Sequence, residues 1–305
     1  MNFWHMIDLK KIKEIYKQGG NILKYLRSLK NINFNDKEDI LISYDFQAGS
    51  YTRFYEQNKS FLNQYAKHLA RYLKNLAPIN SLLEVGTGEA TTLVPLLKYL
   101  DNTPSYVAGL DISLSRILYA RKFAQTHEMP NIQLFVGDMF RLPYKDNAVD
   151  VIFTSHAVEP NGGREKEALQ ELYRVARNFV VLLEPIYEFA SPEGQQRMRE
   201  HGYVRNLYQN ALELGYDIIE YKPFDITYNK LNPTGILIIR KQVENTEPDP
   251  GKIDWICPLS QTPLIRAEGC YYYSQEGLLA YPVIAGIPVL LEEKAVVATH
   301  IMDFL

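Results

Sequence analysis

LLEVGTGEATTL, residues 82–93, decides the fold. An apolar run closes at Val85, and Gly86 and Gly88 with Thr87 between them supply the freedom a tight turn needs. Leu93, Leu96, Leu97 and Leu100 then recur at helical spacing. A strand that turns through glycines into a helix start presents backbone N–H groups to a polar or anionic ligand group. The dinucleotide fingerprint G-x-G-x-x-G opens the same way, but Thr91 stands where its third glycine would be.

Outward from this turn, VAGLDIS (107–113) reads as a second strand ending at Asp111, with Ile112 beside it, followed by a helix that turns Ile117, Leu118 and Ala124 inward. A carboxylate at a strand end can accept both hydroxyls of a ribose. The distance from Gly88 to Asp111 is common to NAD-binding and S-adenosylmethionine-binding folds and does not choose between them. Asp111 could also cap the helix, a task Ser113 can perform equally well.

NIQLFVGDMFRLPYKDNAVDVIFTSHAVE (131–159) supplies a third strand ending at Gly137-Asp138, a short loop and a fourth buried strand, AVDVIFTSHA. Gly-Asp is also an ordinary turn pair. Over about residues 40–240 this layout resembles the class I S-adenosylmethionine-dependent methyltransferases. The resemblance implies that Asp138 bonds the adenine amino group, with Met139 and Phe140 flanking the ring. It implies that Glu84 orients the amino acid end of the cofactor above Gly86, Thr87 and Gly88, and that Asp111 with Ile112 holds the ribose. Ser155 ends the fourth strand on the same sheet edge. Tyr44, Gln47 and Tyr51 sit where related enzymes close over the methionine end or form the substrate entrance, and Tyr51 is included in the cofactor set.

The expected fold is α/β: a Rossmann-like, seven-stranded, mostly parallel sheet flanked by helices, with a helical lead-in and a small β module at the C-terminal end. Residues 1–40 form the lead-in, and 41–240 the methyltransferase domain. Residues 241–253 read as a linker and 254–305 as the module. SYDFQAGSYTRFYEQNKSFLNQYAKHLARYL reads as an aromatic-rich loop and a long helix, and HGYVRNLYQNALELG as one helix stopped by Gly215.

The 305 residues carry a net charge of -3. That balance argues against a broad nucleic-acid surface, which needs a basic surplus. The lysines of the opening segment alternate with Ile12, Ile15, Ile22, Leu23 and Leu26, the pattern of two amphipathic helices with a solvated basic side. No apolar stretch is long enough to span a membrane, and the amino terminus lacks the pattern of a secretory signal, so a cytoplasmic location is expected. Two cysteines, Cys257 and Cys270, make no disulfide framework.

SHAVEPNGG (155–163) faces the expected methyl acceptor. There His156 is the candidate base for a hydroxyl or a protonated amine, with Glu159 or Asn161 orienting it. A cap or core histidine is the competing reading. Glu184, Tyr187 and Glu188 follow the fifth strand, and His201 lies in a later insertion that could roof the acceptor pocket; solvent exposure and helix capping are the competing roles, stronger for Glu188 and His201. No metal-ligand spacing emerges from the scattered histidines.

The C-terminal stretch DWICPLSQTPLIRAEGCYYYSQEGLLAYPVIAGIPVLLEEKAV (254–296) shifts to short strands and turns. Its C-P-L-S opening, Cys270 and YPVIAGIPVLL resemble the small zinc-ribbon-like activators of tRNA and protein methyltransferases. Ser260 and Tyr273 stand where that family pairs its cysteines, so two thiols cannot complete an all-cysteine site. Tyr271, Tyr272, Tyr281 and the Ile-Pro-Val segment are expected to pack instead of a metal. The module could cover the catalytic domain in cis or bring a protein partner. The chain reads as a methyltransferase using S-adenosylmethionine on an O or N atom of a small molecule or saccharide intermediate. A tRNA or translation-protein methyltransferase and a cofactor-binding scaffold without turnover are the alternatives, with an NAD dehydrogenase the weaker one.

Overall fold

The computed structural model describes residues 7–32, 34–76, 78–241, 253–267 and 270–304, so the linker expected over 241–253 lies, except for its two ends, outside the described residues. Helices α1 (Leu9–Lys17), α2 (Ile22–Lys30), α3 (Lys37–Phe46), α4 (Ser50–Gln57) and α5 (Lys59–Lys74) precede the sheet. The aromatic segment expected to be a loop is therefore helical. Asp36 and Asp39 form a reciprocal capping box at the start of α3. Gly49, in the left-handed region, and Asn58 break what would otherwise be one long helix into pieces.

The sheet contains β1 (Ser81–Val85), β2 (Tyr106–Asp111), β3 (Gln133–Val136), β4 (Val149–Ser155), β5 (Ala176–Pro185), β6 (Asp217–Pro223) and β7 (Thr234–Arg240), in the order 3-2-1-4-5-7-6. The first five run parallel to one another. β7 inserts antiparallel between β5 and β6. Every residue of β1 is buried, as a strand covered by helices on both faces requires. Short α6 (Leu93–Leu97) and long α7 (Leu114–Thr126) follow β1 and β2, and α8 (Glu165–Val175) connects β4 to β5. The helix expected over HGYVRNLYQNALELG is split: α9 (Pro192–His201) ends at Gly202, and α10 (Leu207–Glu213) begins afterwards. Because β1 lies between β2 and β4, the connections leave it in opposite directions and open a crevice at the carboxyl ends of these strands.

Strands β8 (Ile265–Ala267), β9 (Tyr271–Ser274), β10 (Leu279–Ile284), β11 (Ile287–Pro288) and β12 (Val296–Val297) form a small antiparallel sheet. It packs on the β3 edge of the large one. Val289, just past β11, pairs in parallel with Val136, and Leu290 N–H donates to the Val136 carbonyl at 2.8 Å. Ile256 N–H donates to the Pro143 carbonyl at 3.0 Å. Trp255 lies 4.9 Å from the Phe135 ring and its indole N–H donates to the Tyr144 hydroxyl at 3.2 Å. Trp255, Cys257, Leu264, Tyr281 and Leu290 thus share one apolar core with the central strands.

Inside the small sheet Cys257 is buried with its sulfur 3.2 Å from the Tyr281 hydroxyl, and it accepts the Ser260 N–H at 3.3 Å. Ser260, Thr262 and Ser274 link their hydroxyls in a row. Tyr272 packs 5.1 Å from Trp255, while Tyr271 is half-buried. Among the described residues no group of three or more His, Cys, Asp or Glu side chains is placed to hold a metal, and no helix is long and apolar enough to cross a membrane.

Trp255 is the bolt of this arrangement. Trp255→Ala is expected to lower stability by about 3–5 kcal/mol, the usual cost of emptying a large aromatic site. Urea unfolding checks it, and a loss under about 1 kcal/mol would mean the small sheet is only loosely seated.

Candidate functional site

The residues singled out in sequence converge on one cavity. Tyr51, Glu84, Gly86, Thr87, Gly88, Asp111, Ile112, Asp138, Met139, Phe140, Ser155 and His156 all line it. The turn after β1 is shaped by close packing. Gly86 has φ +74°, and a Cβ added there would lie 2.2 Å from the Ala157 Cβ, so the loops after β1 and β4 touch with only a hydrogen between them. Thr87 N–H donates to the Leu110 carbonyl at 2.8 Å, and its hydroxyl donates to the Glu84 carboxyl.

Three acids stand at the strand ends. Burial pushes Glu84 up to about 8, assisted by the nearby Asp111 charge and restrained by the Thr87 hydroxyl and the Leu93 N–H. Asp111 accepts the Gly88 N–H at 3.0 Å on one oxygen and the Ser113 N–H at 2.9 Å on the other. Each oxygen keeps a lone pair, as a ribose diol requires. Burial also raises its pKa, opposed by Arg116. The helix cap of α7 is Ser113, whose hydroxyl accepts the Arg116 N–H at 3.2 Å. Asp138 accepts the Phe140 N–H at 3.0 Å and pairs with Lys37 at 3.0 Å.

His156 sits at φ +54° just after β4. Both ring nitrogens are engaged: Nδ1 lies 2.7 Å from Glu159 Oε2 and Nε2 lies 2.8 Å from Thr234 Oγ1. Burial opposes charging the ring, but the Glu159 hydrogen bond and charge, with Glu184 behind them, raise its pKa above the usual value. Glu159 accepts the Asn232 amide at 3.0 Å on its other oxygen. Asn161 takes no part in this pair; its amide reaches the Ala157 carbonyl at 3.3 Å. Glu184, for which exposure or helix capping was a competing reading, is buried and accepts the N–H groups of Ala157, Val158 and Glu159 at 2.9, 3.1 and 3.0 Å. Glu188 does remain at the surface, accepting the Tyr221 hydroxyl at 3.1 Å.

Beyond Ser155 and His156 the cavity joins a cleft of about 740 Å³, which Glu159, His201, Tyr44, Gln47 and Tyr51 help to line. Tyr44, Tyr51, Thr91, Thr92, Ser155 and His156 face both spaces.

Three further residues were not legible as functional. Arg116, on the inner face of α7, is buried with its guanidinium 4.7 Å from the Tyr44 ring and 4.4 Å from the Tyr51 ring. Its Nε–H donates to the Tyr44 carbonyl at 3.0 Å, and one terminal nitrogen is buried without a hydrogen-bond partner. Glu89, from the glycine turn, accepts the N–H groups of Gly49, Tyr51 and Thr52 at 2.8, 3.3 and 2.7 Å, capping α4 where Gly49 has no side chain to do so. Lys37 of α3 bridges Asp138 and Glu293 at 3.0 and 2.8 Å. The only sequence trace of these is an acid beside a glycine turn and a basic residue on an inward helical position.

The donor set suits an adenosyl group carrying an amino acid: a diol acceptor at Asp111, an acid beside Met139 and Phe140, and a proton-sharing acid at Glu84. Comparison with known proteins agrees with that fit. Residues 79–249 match the methyltransferase domain family. Ajmaline N-methyltransferase of Rauvolfia serpentina is 27% identical over 118 residues, covering 38% of this chain and 39% of that enzyme. The chain thus matches about two fifths of the length of that relative.

Magnesium protoporphyrin IX methyltransferase of Synechocystis PCC 6803, solved with S-adenosylhomocysteine, superposes with a TM-score of 0.53 at 15% identity, over 68% of this chain and 100% of that one. A chain from the complex of the Haloferax volcanii Trm112 methyltransferase activator with a methyltransferase superposes with a TM-score of 0.50 at 16% identity, over 65% and 96%. These two show the fold. With the family match spanning more than half of its length, the chain belongs to the methyltransferase domain family, whose methyl donor is S-adenosylmethionine.

Proposed function

We propose that the chain transfers a methyl group from S-adenosylmethionine to an O or N atom of a small molecule. One observation carries this reading: the cavity ringed by the glycine turn and the strand-end acids opens at Ser155 and His156 into a cleft large enough for an acceptor. The bound donor supplies an electrophilic methyl on a sulfonium. In this reading Glu84 holds the amino end, Asp111 the ribose and Asp138 the adenine amino group. Met139 and Phe140 border the ring, and Tyr51 closes over the site from α4.

Transfer forms a bond from the acceptor lone pair to the methyl carbon while the carbon–sulfur pair leaves on sulfur, so alignment supplies much of the acceleration. His156, held at both nitrogens, acts as a positioning group that fixes Thr234 and Glu159 at the mouth of the cleft. An amine needs no prior proton loss, and its product releases the extra proton to water; a hydroxyl acceptor likewise gives its proton to water as the oxygen–carbon bond forms. The small C-terminal sheet acts in cis, as the resemblance to the activator family suggests. It braces the adenine loop through Val289, Leu290 and the Glu293–Lys37–Asp138 chain of charges.

Calorimetry tests the donor. S-Adenosylhomocysteine is expected to bind, NAD is not, and Asp111→Ala or Asp138→Ala should each weaken binding at least tenfold. NAD binding in place of S-adenosylhomocysteine would overturn the assignment.

The raised Glu84 pKa makes this binding pH-dependent. In the free protein the carboxyl keeps its proton below about 8, whereas the unfolded chain sheds it above its ordinary value of 4.5, so folding stability falls as pH rises through that window. A ligand ammonium favours the carboxylate and expels the proton. Affinity should therefore climb toward pH 8 by up to about tenfold per unit, until the ligand amine itself titrates. Titrations from pH 6 to 8 read this slope, which Glu84→Gln should flatten.

For His156→Asn, single-turnover transfer should slow about tenfold, close to one ordinary hydrogen bond to a charged group, while S-adenosylhomocysteine affinity and the shape of the pH profile stay as they were. Disappearance of a pH limb near neutrality would instead assign the ring to proton removal.

A further inference from the structure

The cleft beyond Ser155 and His156 has a composition unlike that of the donor cavity beside it. Lys37 and Arg116 border the donor cavity, but among the described residues lining the cleft there is no lysine, arginine or aspartate. The charged groups it does contain are already satisfied. His156 and Glu159 pair with each other at 2.7 Å, and His201 Nδ1 lies 2.9 Å from the Arg197 carbonyl. A phosphate or carboxylate entering this space would lose its water and meet no lysine or arginine among the lining residues, and both nitrogens of the His156 ring are already engaged.

Aromatic rings dominate the walls instead. Tyr16, Tyr65 and Tyr203 line the cleft, and a cluster stands at its rim: the Tyr228 ring meets Phe54 edge-on at 4.8 Å and Phe61 at 5.4 Å. Tyr228 comes from the segment between β6 and β7, while Phe54 and Phe61 belong to α4 and α5. Although held by two rings, Tyr228 keeps 64% of its surface exposed, so a large aromatic face is presented rather than buried. Asn229 and Asn232 supply neutral polar lining next to it.

Resting on the donor assignment above, we propose that the methyl acceptor is an uncharged molecule with a flat aromatic ring system. It seats against Phe54, Phe61 and Tyr228 and directs its nucleophilic atom at the Ser155–His156 opening. Rings stacked or edged against such a cluster gain contact beyond simple area burial. Nucleotides, sugar phosphates and tRNA fit this cleft less well, because no lysine or arginine is among the described residues that line it.

Two fluorescent probes that differ by a single sulfonate isolate the charge: neutral N-phenyl-1-naphthylamine and anionic 1-anilinonaphthalene-8-sulfonate. With the full chain saturated by S-adenosylhomocysteine, the neutral probe should bind with one-to-one saturation at least tenfold more tightly than the anionic one. Tyr228→Ala, at an exposed position, and Phe61→Ala should each weaken the neutral probe about tenfold and leave S-adenosylhomocysteine affinity unchanged. Labelled donor should then mark neutral phenols or aromatic amines in preference to nucleoside monophosphates and tRNA. Equal or tighter binding of the anionic probe, variants that bind the neutral probe as the parent does, or label appearing only in the phosphorylated set would overturn the acceptor class while leaving the donor assignment standing. Failure of S-adenosylhomocysteine to bind the parent chain would bring down both.

Discussion

The near contact between Gly86 and Ala157 sets the geometry on which the rest depends. A parallel sheet that reverses its winding at β1 leaves a crevice there, but its width depends on how closely the loops after β1 and β4 approach. Here they meet with no side chain between them, since a Cβ on Gly86 would overlap that of Ala157. The turn after β1 is thereby pinned, with its Thr87 and Gly88 N–H groups taken up by the Leu110 carbonyl and the Asp111 carboxylate. His156, the residue preceding this contact, takes up the strain in a left-handed conformation.

Buried carboxylates then fasten the loops that no strand ladder reaches. Glu89 collects three N–H groups from the start of α4, Glu184 three from the loop after β4, and Asp111 one each from the glycine turn and from Ser113. Asp150 does the same at the opposite end of the sheet, accepting the N–H groups of Asn80 and Ser81. Several backbone donors converging on one carboxylate offset its desolvation and satisfy amides that would otherwise be stranded. The cavity wall is thus built from irregular backbone held by fixed anchors. Helix α4 is tied by Glu89 to the glycine turn that borders the cavity.

What could be read in sequence follows the range of the interaction. Gly86, Gly88, Asp111 and Asp138 were legible because each sits immediately after an apolar run, and strand ends in a parallel sheet must share one edge. The seven-stranded, mostly parallel sheet followed from the same pattern, while its strand order came only with the structure. Arg116 was not, since an arginine on a helix reads as solvated; its place between Tyr44 and Tyr51 depends on packing across some 70 residues. Glu184 looked exposed because its partners come from a different loop. The aromatic segment looked like a loop because its helices are short, and the cap that starts α4 is supplied by Glu89 from elsewhere in the chain. The His156–Glu159 pair was anticipated, while Thr234 and Asn232, which complete it, arrive from the far side of β6.

The pairing of Val289 on β3 has a consequence for how the molecule meets its neighbours. An open sheet normally ends in two rows of unsatisfied backbone groups, each a template for another chain. On the β3 side the protein's own later residues engage the end of that row, where Leu290 N–H donates to the Val136 carbonyl. On the other side β6 is blunted by a register shift between Ile218 and Glu220 and by the adjacent Glu220 and Lys222 charges. Both borders of the large sheet thus carry a feature that disfavours strand addition, the protein's own later residues at one and an irregular, charged strand at the other.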